Sequence, residues 1–199
     1  MKNIILGLMI AATYLLSCNG NNKSTENQKR NETLQLKSTV NKTSVIASSV
    51  PDVKSTVSIK EILTVYFQMK DAFAEDNSTG AASAGEKLIS TFKNFDKSAL
   101  TEVQKKTYED VEADAQEHSE HISANGGNIE HQREHFELLS KDIYDLVKAF
   151  GGGQVLYWDF DSMFNKGKGA YWLSETKEIK NPYMGKAMLT SGSIKEEIK

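Results

Sequence analysis

The sequence predicts a mainly α fold: an antiparallel four-helix bundle carrying an irregular, aromatic C-terminal cap. Three observations lead there. Four stretches between Ser58 and Phe150 repeat apolar residues at three- and four-residue spacing, which places each set on one helical stripe. Short polar or glycine-containing breaks separate them, and short connections favour antiparallel neighbours. The last fifty residues lose that period and gather aromatic side chains between glycines.

The first helix is expected from Ser58, where Ser58 and Glu61 have capping-box spacing. Ile59, Ile62, Tyr66, Met69 and Phe73 form its stripe, and Asp76-Asn77-Ser78 ends it. The second begins near Thr79, with Ala81, Ala84, Leu88, Phe92 and Phe95 on one face. Its early turns are small, so another helix can approach closely. Asn94 to Lys97 reads as a break. The third is expected from about Ser98, with Leu100, Gln104, Tyr108, Val111, Ala115, His118 and Ile122 as its stripe. Glu109, Asp110, Glu112, Asp114 and Glu117 make its other face a solvated one.

Asn125-Gly126-Gly127-Asn128 closes the third helix, because glycine suits the left-handed backbone just past a helix end and Asn128 can cap the next helix. The fourth helix has the most regular pattern: Ile129, Gln132, Phe136, Leu139, Ile143, Leu146 and Phe150, stopped by Gly151-Gly152-Gly153. Beyond it, Val155-Leu156-Tyr157-Trp158 has strand-like composition, and Asn181-Pro182 forces an extended or turn dipeptide. Tyr157, Trp158, Phe160, Phe164, Tyr171, Trp172 and Tyr183 supply the aromatic cap. Ser193 to Lys199 reads as a frayed end, so the folded domain is expected over residues 58–194 with a tail at 195–199.

The N-terminal region reads as an address and a spacer. Lys2 precedes an apolar run from Ile4 to Leu16, which is too short to span a bilayer comfortably. Leu15-Leu16-Ser17-Cys18 then resembles a bacterial lipobox, in which the cysteine is lipidated after cleavage. The alternative is a cleaved secretory signal with an incidental cysteine. Residues 1–17 are thus expected to be a lipoprotein signal peptide, and Cys18 the membrane anchor. Asn19 to about Val57 is rich in Asn, Ser, Thr and Lys without periodicity, as a disordered tether would be. The expected location is the periplasm, held by lipid at the outer membrane, since no acidic run follows Cys18. One cysteine excludes an intrachain disulfide, and with a net charge of -3 no basic run points to nucleic acid, so it is not expected as a partner.

All four histidines flank the Asn125–Asn128 turn. His121 and His131 each lie five residues from Gly126; His118 lies eight away and His135 nine. Residues equidistant from the turn of a helical hairpin sit at one level, so the four imidazoles face one another in two tiers. Spacings of three and four within each helix keep each pair on neighbouring surface. Such a set is either a metal site or a polar seam hydrogen-bonded across the interface. Met163, Met184 and Met188 add thioethers downstream, and Asp159 and Asp161 add carboxylates. No nucleophile elbow, phosphate loop or zinc-protease motif is present, so the chain is not expected to be an enzyme.

Several segments resemble one family. They are His121-Ile122, Ile129 to Phe136, Leu139-Ser140, Leu156-Tyr157, Gly169-Ala170, Trp172-Leu173-Ser174, Lys177-Glu178-Ile179, Asn181-Pro182-Tyr183, Gly185 and Met188-Leu189-Thr190. The chain is similar over residues 58–194 to a bacterial domain of unknown function found in envelope lipoproteins and appended to periplasmic adaptor subunits of copper and silver efflux pumps. The resemblance implies a copper-linked role and an envelope metal-efflux complex as partner. The family's pattern carries cysteines where this chain has Asp161 and Ser191. Loss of both thiolates hardens any site. Three readings follow: a weaker site of His121, His131, His135 and Met163 with Asp161 as a ligand; a shift in preference from copper(I) toward zinc(II) or copper(II); or an interaction scaffold that no longer binds metal.

Overall fold

The computed structural model describes residues 57–199. The expected signal peptide, the expected lipidation site Cys18 and the expected tether up to residue 56 lie outside the described residues. The described part is mainly helical, with a small antiparallel sheet at the C-terminus. No helix among the described residues is long and apolar enough to cross a membrane.

The helices are α1 (Lys60–Ala74), α2 (Ser78–Lys93), α3 (Glu102–Ala124) and α4 (Ile129–Phe150). Their apolar stripes face inward as the spacing requires. Ile62, Tyr66, Met69 and Phe73 of α1, Leu88 and Phe92 of α2, Tyr108 and Ile122 of α3, and Phe136, Leu139, Ile143 and Leu146 of α4 are all fully buried. Sequence neighbours pack together, α1 on α2, α2 on α3 and α3 on α4. At the centre Phe136 lies between Tyr66, at 5.3 Å between ring centroids, and Phe73, at 5.0 Å.

Two helix starts differ from expectation. α1 opens after Ile59, which is the N-cap and is buried, so Ser58 sits one position too early for a capping box. The Ser58 hydroxyl instead accepts from the Lys60 N–H. α3 opens at Glu102 rather than near Ser98. Asp96 accepts from the Ser98 N–H and holds that segment in a turn. The true cap is Thr101, which forms a reciprocal box with Gln104. The Thr101-x-x-Gln104 spacing was present in the sequence and is the better signal of the two.

The small residues of α2 meet α3 where expected. A β-carbon placed on Gly85 would lie 2.8 Å from the Ser119 carbonyl oxygen and 3.1 Å from the Ser123 nitrogen, both backbone atoms that cannot rotate away. Gly85→Ala is therefore expected to destabilise the fold by about 1–3 kcal/mol, although alanine is the better helix former. Urea unfolding would show it; an unchanged or higher midpoint would contradict this packing.

The C-terminal segment is more regular than its composition suggests. β1 (Leu156–Asp161) is the central strand, with β2 (Ala170–Ser174) and β3 (Ser193–Ile198) antiparallel on either side. Asp159 pairs with Trp172 and Asp161 with Ala170, while β3 meets β1 across an irregularity between Trp158 and Asp159. The expected frayed end is thus a paired strand. Its ladder to β1 is reinforced by Glu196, which accepts from the Tyr144 hydroxyl at 2.6 Å and pairs with Lys148 at 2.8 Å. Between β1 and β2, Phe164–Gly167 makes one turn in which Asn165 and Lys166 have φ near +51° and +59°, so the turn is left-handed. Asparagine tolerates that region better than lysine. Rings pair along this part of the chain, with Trp158 on Tyr171 at 5.2 Å and Phe164 on Tyr183 at 4.6 Å.

Candidate metal centre

The last turns of α3 carry His118 and His121, and the first turns of α4 carry His131 and His135. Asn128 caps α4 by accepting from the His131 N–H, which fixes where the helix begins and hence its phase. The turn itself is pinned from outside. Gln132 is fully buried, and its amide donates to the Ile122 and Ser78 carbonyls at 2.8 and 3.1 Å. Ser78 at the head of α2 donates to Gln132 and accepts from the Gly127 N–H. Gln132 therefore satisfies the polar-seam expectation, one residue from a histidine.

Arg133 braces the same turn of α4 from its other side. Its guanidinium donates to the Pro182 carbonyl at 2.7 Å, to the Phe73 carbonyl at 2.8 Å and to Asp76 at 2.7 Å. That bond holds the Asp76 carboxyl below the usual carboxylate range. Asp76 also accepts from the Lys186 N–H, so one ion pair ties α4, the α1–α2 corner and the C-terminal segment. Sequence reasoning missed Arg133, because its partners lie 49 to 60 residues away.

On this braced hairpin, His121, His131 and His135 each offer a ring nitrogen, and the three nitrogens lie within 4.8 Å of one another. Metal–nitrogen bonds of about 2.0–2.1 Å around a tetrahedral ion put ligand nitrogens about 3.3 Å apart, so the set spans somewhat more than such an ion would hold. The rings of His121 and His135 stack at 4.1 Å, and His131 meets His135 edge-on at 4.7 Å. The set is partly exposed, open to an ion arriving from solvent. His118 lies beside it, its Nδ1 3.3 Å from Nδ1 of His135. Both sequence readings thus meet here: a seam contact and a possible ligand triad share one imidazole.

Electrostatics favour the neutral, ligand-ready form at the centre. Burial first, and then the neighbouring His121, His131 and His118, push the His135 imidazole down to about 4. His118 is also lowered, mainly by burial, with Glu117 and Asp114 opposing. Carboxylates border the rings: Glu134 lies 3.4 Å from Nδ1 of His131, and Glu117 lies 3.9 Å from Nε2 of His121.

Asp161 and Met163 have other surroundings. Asp161 is buried, and one of its oxygens accepts from the Met163 and Phe164 N–H groups at 2.6 and 2.7 Å. Its other oxygen accepts from the Asn181 amide at 2.5 Å and from the Ser191 hydroxyl at 3.2 Å. The carboxylate that was expected as a ligand is therefore engaged in joining β1, the left-handed turn and the Asn181–Ser191 segment, and it lies outside the three-histidine group. The two positions that carry cysteines in the resembled family touch each other here. Met163 is 53% exposed, beside the left-handed turn and on a different element from the histidine hairpin.

Among the described residues, two carboxylates have buried oxygens without good partners. Both oxygens of Asp159, which is fully buried in β1, lack a hydrogen-bond partner of good geometry, and burial raises its pKa against the opposing Ser174 hydroxyl and Lys70 ammonium. One oxygen of Asp142, two turns along α4 from His135, is buried and unpaired. Burial, then Asp114 and Asp145, push its carboxyl up to about 7. A group whose folded pKa lies above its unfolded one stabilises the fold below the unfolded value, and that contribution is lost as pH rises through the folded one. Asp142→Asn is expected to be more stable than the native chain at pH 8, by about 1–2 kcal/mol after solvent screening, with the gain vanishing near pH 4. Urea unfolding at both pH values tests this; an equal difference at both would contradict it.

No curated protein and no solved structure matches the chain. Residues 62–154, which take in most of α1, all of α2, α3 and α4 and the whole histidine cluster, match the family model described as "Protein of unknown function (DUF3347)".

Proposed function

We propose that this chain is a non-catalytic metal-binding module, whose ligands are His121, His131 and His135 at the α3–α4 turn. The observation that carries the reading is the convergence of three partly exposed ring nitrogens within 4.8 Å on a braced hairpin. The ion is copper(II), with zinc(II) as its substitute. Three imidazoles without a thiolate suit borderline divalent ions better than copper(I), and copper(II) binds such donors more tightly than zinc(II). Met163 is a secondary candidate ligand; Asp161 is not needed.

In this reading the helices form an antiparallel four-helix bundle, closed at one side by the sheet and its aromatic residues. Cys18 is lipidated, residues 19–57 span from the outer membrane to the domain, and the module serves metal efflux or homeostasis in the periplasm, beside an envelope efflux complex. The alternative is a scaffold that has lost metal binding. It is favoured by Asp161 and Ser191, which stand where the resembled family has thiols and are bonded to each other. Calorimetric titration of the chain with copper(II), zinc(II) and copper(I) separates the two. Micromolar or tighter affinity in the order copper(II), zinc(II), copper(I) is expected; affinity no better than about 1 mM for all three would leave only the scaffold.

A further inference from the structure

We infer that His118 is the positioning residue of the metal site: it accepts a hydrogen bond from Nδ1–H of His135 and so leaves Nε2 of His135 to face the ion. The inference rests on the three-histidine reading of the site. The two Nδ1 atoms lie 3.3 Å apart, with the rings tilted by 48°. A contact between two imidazole nitrogens holds one proton, so one ring donates and the other accepts.

The direction follows from what each ring must do next. Were His118 the donor, Nδ1 of His135 would accept and its Nε2 would carry the proton, leaving no lone pair for a metal. With His135 as donor, its Nδ1 carries the proton and its Nε2 is free. His118 is then the Nε2–H tautomer. It is suited to this part because it lies on the buried stripe of α3, between Ala115 and Ile122, which are both fully buried. It is absent from the group of three convergent nitrogens. Glu134 takes the same part for His131, with its carboxylate 3.4 Å from Nδ1, so two of the three ligands have Nδ1 engaged. A ligand imidazole with its other nitrogen held by an outer partner has a fixed ring plane and a stronger lone pair, and loss of such a partner costs about 10- to 100-fold in affinity.

The test uses the full chain labelled with nitrogen-15 at histidine, with zinc(II) as probe. Long-range proton–nitrogen spectra should show Nδ1–H on His135 and Nε2–H on His118, both before and after zinc is added. His118→Leu, which keeps the apolar packing, should weaken zinc about 10- to 100-fold. His118→Asn, whose side-chain oxygen can replace Nδ1 as acceptor, should recover most of that loss. Nε2–H on His135, zinc coordinated by His118 itself, or a His118→Leu variant with native affinity would each overturn the inference. If the native chain binds no zinc while His135 still carries Nδ1–H, the three-histidine reading fails and the hydrogen bond is an interface contact only.

Discussion

Arg133→Ala is expected to cost about 2–4 kcal/mol of folding stability, because the buried guanidinium serves two main-chain carbonyls as well as the exposed Asp76 carboxylate. The size follows from what the guanidinium leaves behind. The Phe73 and Pro182 carbonyls lose their donor, each costing about 1–3 kcal/mol if left unpaired. Asp76 loses its nearest cation as well. It keeps φ near +57° in the α1–α2 corner, a backbone conformation that non-glycine residues rarely adopt. Gly185 packs against both Asp76 and Arg133, so relaxation there is confined. Arg133→Lys is expected to fall between, because an ammonium cannot reach the three acceptors with the fork geometry of a guanidinium. Denaturant unfolding followed by circular dichroism gives the number; a loss below about 1 kcal/mol for the alanine variant would show the junction to be dispensable.

His135→Ala is expected to weaken copper(II) and zinc(II) binding at least 100-fold, more than the loss of an outer-shell partner, since it deletes one of three ligands. His135 takes part in three of the four imidazole pairs: it stacks on His121, meets His131 edge-on and contacts His118, while His121 also meets His131. The ligand-free variant should keep nearly native stability, because His135 lies at a partly open surface. A second reading comes from linkage. Metal at about 100 times its dissociation constant adds about 2.7 kcal/mol to the native chain, and the variant should show almost none of that gain at the same concentration. Thermal unfolding with and without zinc(II) measures it. Equal shifts for both chains would place the ion elsewhere.

The histidine cluster was legible because it depends on short-range facts. Helical phase and a count of residues from Gly126 put His118 level with His135 and His121 level with His131, and both contacts are found. Thr101 and Gln104 were equally local, yet the apolar Leu100 and the polar Ser98 drew the expected start of α3 too early. The surroundings of Asp161 were hidden for a different cause. A carboxylate two residues before a methionine has the look of a ligand, and nothing nearby in sequence says that Asn181 and Ser191 will bond its second oxygen.

By itself the sequence determined the four helices, the buried stripe of each and the hairpin that gathers the histidines, because helical period and turn chemistry are properties of neighbouring residues. Tertiary structure alone decided three things. It turned Ser193–Ile198 from an apparently polar tail into a strand, since an edge strand is defined by the partner that offers it hydrogen bonds. It placed Arg133 across three distant segments. It also gave Asp161 donors on both oxygens and brought ring nitrogens of three imidazoles within 4.8 Å of one another. Each of these outcomes depends on groups far apart in the chain, and only folding brings their charges and hydrogen bonds within range.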